Sequence, residues 1–372
     1  MNMITLIQKK KDGKALSAEE IKWFVDSYVA EKIPDYQAAA MLMAICFQGL
    51  DREEIFHLTD AMRYSGDTID LSPIAGIKVD KHSTGGVGDK TTLIVGPLAA
   101  ACGVPIAKMS GRGLGFTGGT VDKMESIPGF RIALEPEEFL SQVNEIKLSV
   151  IGQTAHITPA DKKLYALRDV TCTVDNLGLI ASSIMSKKLA AGSDAIVLDV
   201  KVGDGAFMEN EKDAGILADL MVDIGNKAGR RTVAAITEMG QPLGKAVGNS
   251  LEVIEAIETL KGRGPEDITE LAERLSGIMV YLGGKAKTPE EGLEMTKKAL
   301  KDGSGLAKLR KFIKAQGGNP GVTDDYSIFP AHSVMKELTA PNDGYVQKIE
   351  ARRIGLASQH TGAGRATKED SI

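Results

Sequence analysis

The sequence is poor in aromatic residues and in cysteine. Phenylalanine, tyrosine and tryptophan together make up 5% of the 372 residues, with a single tryptophan. The three cysteines, Cys46, Cys102 and Cys172, lie far apart and form no CxxC pair. An odd number of cysteines without such spacing argues for reduced thiols in the cytosol. We therefore expect a cytoplasmic protein.

Long apolar runs and an excess of positive charge are also lacking. No apolar run approaches the roughly 18 residues of a membrane span, and the N-terminus has no signal-peptide core. The net charge of −5, from 45 basic and 50 acidic residues, gives no general electrostatic footprint for nucleic acid. The cluster Lys9-Lys10-Lys11 is more typical of a solvated end than of a nucleic-acid patch. We expect a globular protein that binds neither membranes nor nucleic acid.

Glycine is plentiful by comparison. The chain has 41 glycines, whereas an average protein of this length would have about 26 at a usual ~7%. Together with the shortage of aromatic residues, this favours an α/β enzyme with Gly-rich loops near a ligand over an all-β protein. The length predicts one large or two medium domains.

The first 65 residues have the pattern of an α-helical unit. Ser17-Ala-Glu-Glu20 is a capping box before apolar residues at helical spacing. Pro34-Asp35 opens a second helix, which Gly49 ends, and Asp51-Arg-Glu-Glu54 caps a third that runs to Ser65-Gly66.

From Ile77 onward, short apolar runs alternate with Gly-rich loops and amphipathic helices. Helices are predicted near Thr91–Ala101, Pro136–Ile146 and Asp213–Ala228. The predicted strands are Ile77–Lys81, Pro105–Met109, Ser149–Gly152, Ala195–Val200 and Thr232–Thr237. This alternation indicates a mainly parallel sheet, whose ligands bind beyond the carboxyl ends of the strands.

These patterns predict an α/β protein of two domains that flank a cleft. The small all-helical domain is discontinuous, covering 1–66 and a helical insertion at 160–191. The larger domain, with a mixed, mainly parallel sheet, covers 67–159 and 192–338, and its Gly-rich loops make it the candidate phosphate-binding domain. We expect 339–372 to begin a C-terminal α/β subdomain, with a strand at Gly344–Ile349, and to be incomplete because nothing after Ile372 finishes the unit.

One candidate anion loop runs from Lys81 to Thr92, after a strand and before a helix. It reads Lys-His-Ser-Thr-Gly-Gly-Val-Gly-Asp-Lys-Thr-Thr. Its glycines let backbone N–H groups turn toward one point, and the helix N-terminus favours an anion. A P-loop would need glycine immediately before Lys90, and Asp89 stands there. A tight Gly turn without a ligand is the alternative.

A second Gly-rich loop lies between Lys108 and Glu125, after the next predicted strand. Gly113-Leu-Gly115-Phe-Thr-Gly118 formally matches the dinucleotide GxGxxG, but a lone match is weak. The density of Ser, Thr and Lys better suits a bare phosphate than a pyrophosphate. Two such loops after successive strands can enclose one anion from both sides, with Ser110 and Thr120 as donors.

The segment from Ser110 to Glu125 resembles the signature of thymidine and pyrimidine-nucleoside phosphorylases. The resemblance covers nearly the whole chain, from the first helices through the Lys81 loop to Pro341-Asn-Asp-Gly-Tyr345. It implies phosphorolysis of uridine, thymidine and deoxyuridine to free base and (deoxy)ribose 1-phosphate, as in pyrimidine salvage. It also implies a homodimer that uses inorganic phosphate as co-substrate and no organic cofactor.

The resemblance assigns site residues as follows. The phosphate ligands are Lys81, His82, Ser83, Thr92, Lys108, Met109, Ser110 and Thr120. The nucleoside base lies against Tyr165, Arg168, Ser183 and Lys187, of which Arg168 and Lys187, with His82, are catalytic. A lysine at position 108 accompanies acceptance of uridine in similar enzymes, whereas the thymidine-restricted branch has an apolar residue there.

A structural potassium ion is also implied by the resemblance. Its site comprises Gly88, the residue at position 90, Leu243, Ala246 and Glu255. Position 90 is usually a small hydroxyl residue and is Lys90 here, so the sequence departs from the pattern at the cation site.

The chemistry of phosphorolysis gives these residue types a role. Lys, hydroxyl and backbone N–H groups position phosphate, while Arg168 and Lys187 can stabilise the negative charge that gathers on the departing base. His82 can donate a proton or a hydrogen bond, because its ordinary pKa is near neutrality. The alternatives are that His82 braces a loop, that Arg168 pairs with Asp161 or Asp169, and that Lys187-Lys188 is a solvated helix face.

Two other classes of function compete with this interpretation. A phosphoribosyltransferase acting on anthranilate would share the helical domain and the Gly-rich loops, but it should carry acidic magnesium sites. The chain shows no Asp/Asp or Asp/Glu pair near Arg168 suited to that task. A non-catalytic nucleoside-binding protein would not need two converging phosphate loops. Phosphate-dependent release of base separates the three.

Overall fold

The computed structural model describes residues 1–113, 117–154 and 156–364. Part of the second Gly-rich loop (114–116) and the end of the predicted C-terminal subdomain (365–372) lie outside the described residues. The longer helices are, in chain order, α1 Met3–Lys11, α2 Ala18–Val29, α3 Asp35–Gln48, α4 Arg52–Arg63, α5 Thr91–Ala101, α6 Thr120–Glu125, α7 Pro136–Ile146, α8 Pro159–Asp169, α9 Leu177–Ala190, α10 Glu211–Lys227, α11 Asn249–Leu260, α12 Glu266–Leu282, α13 Pro289–Lys301, α14 Ser304–Ala315 and α15 Ala351–Ser358. The strands are β1 Val79–Ser83, β2 Ile106–Ser110, β3 Leu148–Gly152, β4 Ala195–Val202 and β5 Arg231–Glu238. Among the described residues, no helix is both long and apolar enough to cross a bilayer.

The chain forms two compact units. The first consists of Met1–Ser72, Gln153–Ile196 and Lys212–Ala234, and the second of Pro73–Gly152, Val197–Glu211 and the chain from Ala235 onward. The predicted helical ranges 1–66 and 160–191 lie within the first unit, which also takes in α10. We call the first the helical unit and the second the α/β unit.

The helical unit is built around α1–α4, α8 and α9, which share one apolar core. Both predicted capping boxes are present, at Ser17 with Glu20 and at Asp51 with Glu54. The Lys9–Lys11 cluster is not simply solvated as the sequence predicted. Lys10 is buried, and its ammonium is compensated by Glu54, whose carboxylate oxygens lie 2.8 and 2.9 Å away.

The strands form two sheets, one of order β1-β4-β5 and one in which β2 and β3 pair in parallel. The parallel register places Ile106 opposite Leu148 and Ser110 opposite Gly152. Every residue of β4 is buried, as in strands covered on both faces. Helices α12 and α14 pack on α5. The predicted α/β class is confirmed.

One predicted element is wrong. Gly344–Ile349 forms no strand, and the next regular element is the helix α15, which begins at Ala351. Tyr345 and Val346 are exposed, and no strand in the described part of the chain pairs with this segment. Extended backbone without a neighbouring strand has no ladder of hydrogen bonds to make it a strand.

Candidate active site

Lys81, the first residue of the predicted anion loop, lies in a buried cluster of charges. It belongs to β1 and is 3% exposed. Its ammonium lies 3.1 Å from Asp199 of β4 and donates to the hydroxyl of Thr91 at the start of α5. Lys201, two residues further along β4, lies 3.0 Å from the same Asp199 oxygen. The hydroxyl of Thr237 donates to the other Asp199 oxygen at 2.6 Å.

Asp89 completes this cluster from within the loop. Its carboxylate accepts hydrogen bonds from the Ser83 hydroxyl and from the hydroxyl and N–H of Thr91. Loss of hydration raises the pKa of Asp89, but Lys81, Lys201 and the two hydroxyl donors hold it well below the ordinary carboxyl value. Burial lowers the pKa of Lys81, and nearby carboxylates, Asp89 first, outweigh that effect and raise it.

Lys108 reaches the same region from β2. Its ammonium lies 3.3 Å from Asp80 and donates to the backbone carbonyl of Lys81. Lys81, Lys108 and Thr92 line one small cavity in the α/β unit. The structure therefore brings together four of the predicted phosphate residues, Ser83 among them.

The other predicted phosphate residues lie at the ends of elements. His82 follows Lys81 in β1, Ser110 is the last residue of β2, and Thr120 is the first residue of α6. All three are partly exposed, whereas Met109 is buried. These positions carry hydroxyl groups and an imidazole near strand ends and at the start of a helix.

Charge is balanced within this cluster. Three lysines, Lys81, Lys108 and Lys201, lie among three aspartates, Asp80, Asp89 and Asp199. The ammonium groups are thus paired with carboxylates within the protein.

Arg168, in the helical unit, braces a turn. Its guanidinium donates three hydrogen bonds to carbonyls, those of Thr173 (3.1 Å), Val174 (2.8 Å) and Leu179 (3.1 Å). It is 3% exposed, and burial lowers its pKa. Its guanidinium carbon lies 5.6 Å from the centre of the Tyr165 ring.

Lys187, on α9, pairs with Asp161 near the start of α8. Its ammonium also lies 2.9 Å from the hydroxyl of Ser183, one turn earlier on the same helix. Lys187 is therefore not a solvated helix face, although its side chain keeps 23% exposure. Burial raises the pKa of Tyr165, while Arg168 lowers it. The four predicted base residues thus lie on α8 and α9 of one unit.

Sequence reasoning missed several residues of both clusters. Asp161 was considered as a partner for Arg168, but it pairs with Lys187. Asp199 and Lys201 were not predicted at all. The sequence pattern could have identified them, because they stand at positions i and i+2 of a strand that is otherwise apolar. Buried charges in such a strand need partners of opposite charge.

The residues of the expected cation site lie together, but a lysine ammonium lies among them. The Nζ of Lys90 contacts the carbonyls of Leu243 and Ala246 and the carboxylate of Glu255. The residues present therefore do not fit a monovalent metal ion at this position.

Family models match both parts of the chain. Residues 4–66 match the helical bundle domain of the glycosyl transferase family, and residues 75–306 match its a/b domain. An anthranilate phosphoribosyltransferase from Thermus thermophilus has a similar structure, with a TM-score of 0.68 over 83% of this chain and 98% of that one. At 19% identity, this likeness concerns the fold alone. Fold and family models thus define a glycosyl transferase.

Three relatives narrow the class. Pyrimidine-nucleoside phosphorylases from Geobacillus stearothermophilus, Bacillus subtilis strain 168 and Staphylococcus aureus strain N315 are 59%, 57% and 56% identical to this chain. Each match covers the whole of this chain and 86% of the relative. The chain belongs to the pyrimidine-nucleoside phosphorylase family.

Proposed function

We propose that the protein cleaves pyrimidine nucleosides by phosphorolysis. The single observation that carries this proposal is the identity of 59% over all 372 residues with a pyrimidine-nucleoside phosphorylase. A phosphate oxygen forms a bond to the anomeric carbon as the glycosidic C–N bond breaks. The electron pair of that bond leaves with the base, which then takes up a proton. The products are free base and (deoxy)ribose 1-phosphate.

In this proposal the α/β unit holds phosphate. Ser83, Thr92, Ser110 and Thr120 donate hydroxyl hydrogen bonds, and Met109 contributes its backbone. Lys81 and Lys108 supply charge from behind the loop, where the buried aspartates fix their positions. Holding phosphate in one orientation removes much of the entropic cost of the reaction.

The helical unit holds the base. Lys187 and Ser183 have donors suited to the pyrimidine carbonyls, and Tyr165 contributes an aromatic ring on the same pair of helices. Arg168 lies next to Tyr165 and supplies positive charge close to the departing base, where preorganised charge acts chiefly in the transition state. We also propose that His82 donates a proton or a hydrogen bond to the base.

Uridine, thymidine and deoxyuridine are the proposed substrates, and cytidine is not, because it lacks the 4-carbonyl. The proposal that uridine is a substrate depends on Lys108, because a lysine at this position accompanies acceptance of uridine in similar enzymes. We further propose a homodimer that acts in the cytoplasm. The free thiols of Cys46, Cys102 and Cys172 support this location, and a sedimentation measurement tests the dimer.

The test is release of base from each nucleoside with and without inorganic phosphate, followed by chromatography. We expect uracil and thymine only when phosphate is present, together with an equal amount of sugar 1-phosphate. Release without phosphate would indicate a hydrolase. A parallel incubation with anthranilate and phosphoribosyl pyrophosphate tests the activity named for the structural neighbour, and turnover there would contradict the proposal.

A further inference from the structure

The ammonium of Lys90 lies in a cage of oxygens deep in the α/β unit. Its Nζ lies 2.9 Å from the carbonyl of Leu243 and 2.8 Å from that of Ala246, and it also donates to the carboxylate of Glu255. Lys90 is 1% exposed. A buried charge of this kind is tolerated only with full compensation by neighbours.

The cage satisfies the ammonium completely. An ammonium has three N–H donors, and three oxygens accept them. The Glu255 carboxylate is satisfied in turn, because the backbone N–H groups of Lys245 and Ala246 donate to it at 2.9 and 3.2 Å. A metal ion in the same cage would face the ammonium at contact distance and find its oxygens already engaged.

The backbone around the cage is shaped to the ammonium. Gly244 has φ of +70°, and a Cβ there would lie 2.3 Å from a Glu255 oxygen and 3.1 Å from the Lys90 ammonium. Gly88 has φ of +74°, and a Cβ there would lie 2.6 Å from the carbonyl of Leu243. Only glycine allows both segments to close so tightly around the charge.

We propose that the Lys90 ammonium replaces the monovalent cation expected at this position, so that the protein carries its own covalently attached cation. The chain then binds no potassium here, and its stability does not depend on potassium. Lys90 directly precedes α5, whose first residue, Thr91, accepts a hydrogen bond from Lys81. Lys90 thus acts as a positioning residue for the end of the anion loop.

The proposal is tested by thermal unfolding in KCl and in choline chloride at equal ionic strength. The wild-type protein should have the same Tm in both salts. Lys90→Ser removes the ammonium and frees its three oxygens, so in choline chloride Tm should fall by about 5 °C or more. Added KCl should then raise its Tm progressively, as binding to the folded state requires.

Lys90→Met is the matched control. Methionine fills much of the same space without a donor or room for an ion, so its Tm should fall and KCl should not restore it. A Lys90→Ser protein that ignores KCl would overturn the proposal.

Binding of thallium(I), a potassium mimic followed by its NMR signal, provides a test that needs no variant to fold. The wild-type protein should show no bound thallium signal, and one bound ion per chain, competed away by potassium, would overturn the proposal. Neither measurement uses turnover, so this inference and the proposed phosphorolysis can fail separately.

Discussion

Asp199→Asn should lower the free energy of unfolding of the α/β unit by about 3–5 kcal/mol, because it leaves buried charge uncompensated. Asp199 is fully buried, and the ammonium groups of Lys81 and Lys201 lie 3.1 and 3.0 Å from one of its oxygens. Asparagine has nearly the same size, so no cavity forms. The change removes the negative charge and, with the amide oxygen accepting from Thr237, turns the amide NH2 toward the two ammonium groups.

The magnitude follows from the distances. Two unit charges about 3 Å apart attract by about 5 kcal/mol at an effective dielectric constant of about 20. Two such attractions are lost, but Asp89 still acts on Lys81, and the amide oxygen of asparagine can still accept from Thr237. The net loss should therefore be closer to one attraction than to two.

Urea unfolding followed by circular dichroism measures the loss, with two controls. Thr237→Val removes only the hydroxyl that donates to Asp199, which should cost about 1 kcal/mol. Adding Lys201→Met to Asp199→Asn removes one ammonium together with the carboxylate, so the double variant should be more stable than Asp199→Asn alone. A loss below about 1 kcal/mol for Asp199→Asn, or additive losses in the double variant, would refute the reasoning.

Variants at three further positions, Asp89, Lys187 and Arg168, test the other contacts. The pKa of Asp89 in the folded state lies below its ordinary value of 3.8, so its ionised form contributes stability above pH 3.8, and this contribution is lost as the pH falls through the folded-state pKa. When the urea midpoint is plotted against pH, Asp89→Asn should therefore have a shallower decline at acid pH than the wild-type protein. An equally steep decline would count against this. Lys187→Met should lower kcat by about 10²–10³-fold with little change in the KM for phosphate. The double variant with Asp161→Asn should have a kcat no lower than that of Lys187→Met alone. A KM for phosphate that rises as much as kcat falls would contradict the placement of Lys187 in the base site. Arg168→Met leaves three carbonyls unpaired and should lower Tm more than Arg168→Lys, and equal Tm values would show that the carbonyl bonds contribute little.

Local signals predicted several of the regular elements well, although they gave a wrong strand at Gly344–Ile349 and did not identify α11 to α15. The bounds of α5 and α7 agree with the prediction to the residue, since Pro136 at the first turn of α7 is a direct sequence marker. β1 begins and ends two residues later than predicted. The end of a strand depends on where its neighbour stops pairing, and β4, its neighbour, is more than 100 residues away.

The same difference between local signals and long-range contacts applies to the candidate site. Residues in the Gly-rich loops were predicted because loop, strand end and helix start are adjacent in the sequence. Asp199 and Lys201 were not, because nothing near Lys81 indicates which strand will lie beside it. The replacement at position 90 was visible in the sequence, but only the cage formed with Leu243, Ala246 and Glu255 shows what the lysine does there.

Two of the buried ion pairs meet on a single helix. Glu255 of α11 pairs with Lys90, at the end of the first Gly-rich loop, and Glu252, one turn earlier, lies 3.3 Å from Lys123. Lys123 lies in α6, near the C-terminal end of the second Gly-rich loop, and also donates to the carbonyl of Gly118 at 2.8 Å. Both loops are therefore tied at their C-terminal ends to α11.

A buried ion pair adds little net stability, because the cost of desolvating two charges offsets much of their attraction. These two pairs are better explained by the geometry that they fix. Backbone donors can bind an anion tightly only when their directions are set before it arrives. Glycines have no side chain to pack and leave the backbone free to turn, so a charged contact at the end of each loop supplies a constraint. In the first loop that constraint includes a cation built into the chain, which cannot dissociate as a bound ion can.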